Sequence, residues 1–221
     1  MEKRFAIAMD VGGSHITSAV VDLNEMKVFK ESLFKVSFDS NLPTNEVMDF
    51  WENAIRAVLE KPQLENLSGI AMAIPGPFDY EEGTCWIKDQ DKYENFYGLN
   101  IKDLLRERFD FDQNLPIVFE NDAKSFGKGE VYKNMENLPK NVMAVTLGTG
   151  LGACFIKKGK IVSTGHKVPP NGEIWNLAYK NGMAEDAVSL RALLSGYHNL
   201  SGIQINNGLA LYLLAVDRDQ T

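Results

Sequence analysis

The chain has 221 residues, 44% hydrophobic and 24% charged, with a formal net charge of -7, the make-up of a globular protein with room for one large or two small domains. Its acidic balance excludes a phosphate-backbone surface, so no nucleic-acid partner is expected, and no apolar run approaches the roughly 20 residues of a membrane span. The N-terminus lacks a signal peptide's apolar core and the two cysteines, Cys85 and Cys154, form no closely spaced metal pattern, so a cytoplasmic protein with reduced thiols and no membrane partner is expected.

Phe5-Ala6-Ile7-Ala8-Met9 is an apolar run ending at Asp10, followed by Gly12-Gly13-Ser14-His15 and the apolar Ala19-Val20-Val21. Strand, two-glycine turn and strand is the simplest reading, a hairpin. The functional alternative is that Gly12 and Gly13 let backbone N-H groups and Ser14 approach a phosphate. Asp10 then stands where a carboxylate holds Mg²⁺, directly or through water. The turn leads into a strand, so neither a P-loop nor a Rossmann mechanism applies. Residues 27–38 read as a third strand. From Thr44, a reasonable N-cap, Val47, Trp51, Ala54, Ile55 and Val58 recur at helical spacing, with Pro62 limiting the helix. Ser68 to Ile74 is a buried strand stopped by Pro75-Gly76-Pro77, whose glycine permits close backbone approach. Residues 79–98 read as an irregular excursion with short strands, and 100–109 as a short helix.

Leu115-Pro116-Ile117-Val118-Phe119 is a further strand that ends in Glu120-Asn121-Asp122. Open α/β sheets bind ligands beyond the carboxyl ends of their strands, so this acid is a candidate site residue. Asn121 or Asp122 capping a helix over 123–130 is the competing reading. Residues 134–141, enriched in Asn, Pro and Lys, mark the candidate domain boundary. Val142 to Thr146, the turn Leu147-Gly148-Thr149-Gly150-Leu151-Gly152 and Ala153 to Ile156 then repeat the opening strand, glycine turn and strand. Two such units at the heads of two halves are what two facing phosphate turns require.

Beyond residue 164 the sequence is polar and irregular. Glu173 and Asn176, with Trp175 between them, suit a polar small molecule, the carboxylate accepting hydroxyl hydrogen bonds. His166 is given no role. Glu185-Asp186 precedes the helix pattern 187–194, where capping competes with a binding role. A last helix falls within 203–216.

Taken in order, these motifs resemble the ROK family of sugar kinases and regulators, within the actin-like, ribonuclease H-like ATPase fold. Met9-Asp10-Val11-Gly12-Gly13-Ser14-His15-Ile16 is similar to its first phosphate motif and Leu147 to Gly152 to its second. Ile74-Pro75-Gly76-Pro77 is similar to a family loop, Asn121-Asp122 to its sugar-binding and catalytic pair, and Gly172-Glu173-Ile174 with Glu185-Asp186 to its sugar-contact region. The resemblance implies an α/β protein of two βββαβα-type domains flanking a cleft, 1–133 and 142–221, the second incomplete.

It implies phosphoryl transfer from ATP to a hexose or N-acetylhexosamine hydroxyl, with Asp122 as general base. Gly76, Asn121, Asp122, Glu173, Asn176 and Glu185 would bind the sugar. Asp10, Gly12, Gly13, Ser14, His15, Gly148, Thr149 and Gly150 would take ATP, with Asp10 at Mg²⁺, and a homodimer is implied. Members usually carry Gly-Glu-x-Gly-His, where this chain has Asn176 in the histidine's place, and the family's Cys-x-Cys-Gly cluster is absent, so no zinc is expected. Members also run on past the point where this chain stops, through an adenine-binding segment and a final helix. The expectation is therefore a kinase lacking its C-terminal portion. The alternatives are a non-catalytic sugar-binding remnant and a sugar-responsive regulator of the same family.

Overall fold

The computed structural model describes residues 4–60, 67–90, 92–109, 111–134, 136, 139–148 and 150–218. Two compact units divide the chain, Met1–Asp122 and Ala123–Thr221.

In the first unit, alternation of apolar and small residues builds β1 (Phe5–Val11), with Phe5, Ile7, Met9 and Val11 all buried on one face. It pairs antiparallel with β2 (His15–Asp22) across the glycine turn, the expected hairpin. The single third strand expected over 27–38 is instead two: β3 (Lys27–Val28) and β4 (Phe34–Ser37) each pair with β2. A 3-10 turn at Lys30–Ser32 separates them, and Ser32 Oγ ties it down by accepting from the Val20 amide at 2.8 Å and donating to Phe29 O at 2.6 Å.

Helix α1 (Thr44–Leu59) buries Val47, Met48, Trp51, Ala54, Ile55 and Val58. Thr44 does not cap it: Pro43 holds the N-cap position, and the Thr44 hydroxyl donates to Asn95 O at 2.8 Å. Pro62, expected to limit the helix, lies outside the described residues. β5 (Leu67–Ile74) runs parallel to β1, and β8 (Ile117–Asn121) parallel to β5, completing the order β3-β2-β1-β5-β8 with β4 beside β2. The excursion between them holds the two-residue strands β6 (Phe78–Asp79) and β7 (Thr84–Cys85) and then α2 (Ile101–Arg108), capped by Asn100.

The core of this unit lies on the α1 side of the sheet. Trp51 stacks on Phe96 with centroids 5.7 Å apart, and Tyr93 stands edge-on to both. Fully burying each large apolar side chain here contributes roughly 1.5–3 kcal/mol.

β8 passes straight into α3 (Asp122–Lys133), which belongs from Ala123 onward to the second unit. The division therefore falls ahead of the polar stretch 134–141. The reason is packing, since Gly127 on α3 faces Cys154, where an added Cβ would come within 2.8 Å of that residue's own Cβ. The sheet of this unit is three antiparallel strands, β9 (Asn141–Leu147), β10 (Leu151–Lys157) and β11 (Lys160–Val162), in the order β11-β10-β9. A small hairpin, β12 (Ala178–Tyr179) and β13 (Gly182–Met183), follows. The helices α4 (Glu185–Val188), α5 (Leu190–Ser201) and α6 (Gly208–Arg218) complete it. Its buried cluster is small: Ala144, Cys154 and Ile156, with Val131, Val142 and Ile161 packed against them.

Candidate active site

Strand register brings the first unit's candidate residues to one sheet edge. Asp10 on β1 lies opposite Ala73 on β5, which lies opposite Glu120 on β8; one step further, Ile74 pairs with Asn121. All three strands are parallel. The same edge therefore releases Asp10, the Pro75-Gly76-Pro77 loop and Asn121-Asp122, beyond the strand ends where α/β sheets take ligands.

Asp10 reaches solvent, yet desolvation by surrounding protein raises its pKa. His15 offsets part of that rise, the Asp122 carboxylate adds to it, and Lys35 lowers it again. Two acids that disfavour each other's charge suit a cation between ligand and protein, because a divalent ion relieves the repulsion. Among the described residues no three His, Cys, Asp or Glu side chains cluster as a ligand set. Mg²⁺ does not need one, being held by one or two carboxylates with phosphate oxygens and water.

The glycine turn after Asp10 is anchored from below. Gly12 N-H donates to His15 O at 2.9 Å, and the buried Tyr93 hydroxyl donates to Gly12 O at 2.6 Å. Burial pushes the Tyr93 pKa well up, so its proton stays available to that carbonyl. Ser14 Oγ lies 3.4 Å from His15 Nδ1. Among the described residues the backbone N-H groups of Gly13 and Ser14 make no hydrogen bond, the state a phosphate-binding turn requires.

Asn121 is oriented by a residue that sequence reading missed. Its side-chain amide donates to Tyr80 Oη at 3.2 Å, while the Tyr80 hydroxyl donates to Ile74 O at 3.3 Å. Phe78, 5.2 Å from both the Tyr80 and Phe119 rings, fixes the ring. Gly76 lies against the same hydroxyl, 3.0 Å from where its Cβ would be. Tyr80 carried no signal in the sequence beyond being the aromatic that follows Asp79 in a polar excursion. Asp122 opens α3, so the strand-end and helix-start readings of that residue hold together.

In the second unit the turn between β9 and β10 is closed by Gly148 N-H donating to Gly150 O at 3.0 Å. Its glycines differ. Around Gly148 an added Cβ meets nothing within 4 Å, whereas at Gly150 it would lie 2.7 Å from Glu185 Oε2. Thr149 lies outside the described residues. Glu173 follows a 3-10 turn at Pro170–Gly172 and accepts from Trp175 Nε1 at 3.1 Å; Asn176 is exposed. Glu185 is turned toward the glycine turn, accepting from Leu151 N-H at 2.7 Å and from Arg191 Nη2 at 3.2 Å.

Comparison with known proteins bears on these motifs directly. Over 169 residues the chain is 26% identical to a glucokinase of Halalkalibacterium halodurans, covering 73% of this chain and 47% of that protein, so it spans about half that relative's length. A xylose repressor of Caldicellulosiruptor bescii is 22% identical over 156 residues, 70% of this chain and 37% of the repressor. Among solved structures, the inorganic polyphosphate/ATP-glucomannokinase of Arthrobacter sp. strain KM has a TM-score of 0.69 and 25% identity, covering 90% of this chain and 72% of the kinase. The fold is thus the α/β, actin-like one that the motifs imply. No helix among the described residues is long and apolar enough to cross a membrane. The ROK family pattern matches residues 6–173, from the first strand through Glu173, and the chain belongs to the ROK family.

Proposed function

We propose that this chain carries the sugar-phosphorylating centre of an ATP-dependent kinase acting on a hexose or N-acetylhexosamine. The observation that carries the reading is the sheet edge holding Asp10, Asn121 and Asp122 beside a glycine turn whose Gly13 and Ser14 amides are unengaged among the described residues. Asp122 accepts the proton of a sugar hydroxyl as that oxygen attacks the γ-phosphorus; the bond to the β,γ-bridging oxygen breaks, and ADP leaves. Within the first unit Asn121, oriented by Tyr80, and Gly76 on the neighbouring loop are the sugar contacts; taken separately, the second unit offers Glu173 and Asn176 as hydroxyl acceptors and donors.

Gly12, Gly13, Ser14 and His15, and separately Gly148, Thr149 and Gly150, are the phosphate-binding backbone. Asp10 would hold Mg²⁺, which supplies charge neutralisation on the phosphates. Phosphoryl transfer is mostly alignment and charge compensation, which accounts for a site made of acids, amides and glycines.

Asp122→Asn keeps size and hydrogen bonding but removes the proton acceptor. In a coupled assay kcat is expected to fall by about 10²–10⁴-fold with sugar affinity retained; an unchanged rate rejects the role. The likeness to a xylose repressor supports one rival, sugar binding without phosphoryl transfer. Calorimetric titration with ATP-Mg²⁺ and a sugar panel separates the two, because sugar binding with no nucleotide binding selects the rival.

A further inference from the structure

The second glycine turn is gripped at both ends by the segment that opens α4 and α5. At its start the Gly148 carbonyl accepts from Leu190 N-H at 2.9 Å, and at its exit Leu151 N-H donates to Glu185 Oε2 at 2.7 Å. The same oxygen fills the space that Gly150 leaves by lacking a Cβ, 2.7 Å from where one would stand. The other oxygen of Glu185 accepts from Arg191 Nη2 at 3.2 Å. Helix capping does not explain the carboxylate: α4 has no side-chain cap, and Ser189 caps α5 by accepting from Ala192 N-H. Glu185 is also tied into the segment expected to meet sugar, since its own N-H donates to Trp175 O at 3.0 Å and Trp175 Nε1 donates to Glu173 Oε2.

We infer that Glu185 is a positioning residue for the second glycine turn, and that Arg191 fixes its carboxylate for that task. The inference rests on the kinase reading only where it assigns the turn to phosphate. A charged acceptor holds a backbone donor more firmly than a neutral one, and the Glu185 side chain, 23% exposed, is partly shielded from competing water. Arg191 is 53% exposed, so its contribution is the smaller of the two. Each carboxylate oxygen keeps a further acceptor direction, so contact with a sugar hydroxyl remains compatible with the grip.

Amide exchange in the ligand-free chain tests the grip without any reference to catalysis. Glu185→Ala is expected to speed exchange at Leu151 by about tenfold, and the near-isosteric Glu185→Gln by about threefold. Arg191→Met, at an exposed position, is expected to speed it by about twofold. Exchange in β9 and in the remainder of β10, which belong to the same unit, serves as the folding control; should Glu185→Ala lose it, the Gln and Met variants decide. Leu151 exchange unchanged in both of those overturns the inference.

Titration then asks what the grip serves. Glu185→Gln should weaken ATP-Mg²⁺ binding by about threefold. Nucleotide affinity unchanged in that variant, whatever happens to sugar affinity, overturns the positioning role for a phosphate turn. Failure of the unaltered chain to bind nucleotide would sink the kinase reading alone, because the exchange result still judges the grip.

Discussion

In the first unit Trp51 is wholly buried between Phe96 and Tyr93, and β1, β5 and β8 bury every second side chain beneath the edge that carries Asp10 and Asn121. In the second, Leu200, Leu209 and Tyr212 stand 93, 67 and 62% exposed, and Leu147 beside the glycine turn is 67% exposed. The two units hold comparable chemical parts by different means. The first positions its groups on a packed floor, where shape complementarity leaves few alternatives. The second has little buried apolar surface, so its turn depends on a few directed hydrogen bonds from Glu185 and Leu190. Exposed apolar faces on α5 and α6 also make this half the one prone to association.

The largest test of that contrast is a pair of core truncations read by calorimetry and urea melts. Trp51→Ala should cost about 3–5 kcal/mol, because it removes a fully buried indole packed against Phe96 and Tyr93. Ile156→Ala, in the small cluster, should cost about 2 kcal/mol, the low end for such a change. Equal costs would break the comparison. A pair of glycines on α3 sharpens it. Gly127→Ala forces a methyl against Cys154 and should cost about 1–3 kcal/mol. Gly129 is exposed with nothing within 4 Å of its Cβ position, so Gly129→Ala should stabilise by about 0.5–1 kcal/mol through helix propensity.

The smallest expected effect concerns Asp10. Its pKa is raised in the folded chain, so folding favours the protonated form. That contribution is present in acid and is lost as pH rises through the raised pKa. At neutral pH the charged carboxylate is therefore a mild cost, discounted because the group meets solvent. Asp10→Asn should raise the melting temperature by about 1–2 °C at neutral pH, with the gain vanishing as the pH is lowered through the Asp10 pKa. A drop at neutral pH would show that Asp10 stabilises the turn and does not serve a cation at some cost.

Much of this arrangement is legible in the amino-acid order, and the exceptions are instructive. Short apolar runs bounded by turn or polar residues marked β1, β5 and β8, helical spacing marked α1, and the repeated strand, glycine turn and strand marked both hairpins. Residues 27–38 misled because their apolar spacing persists across Ser32, whose hydroxyl bonds break the strand in two. Thr44 misled because a distant carbonyl, that of Asn95, captures its hydroxyl.

Periodicity and turn composition are properties of a single segment, so the order of residues alone determined the strands, the turns, α1 and the family pattern they compose. Which side chain meets which is another matter. Tyr80 and Asn121 lie 41 positions apart, and Leu151 and Glu185 lie 34 apart. Gly148 and Gly150 look alike in the chain, yet one faces open space and the other a carboxylate. Only the register of distant strands and the packing of α4 against the turn could decide those pairings, because each depends on where two remote segments come to rest and on no local preference of either.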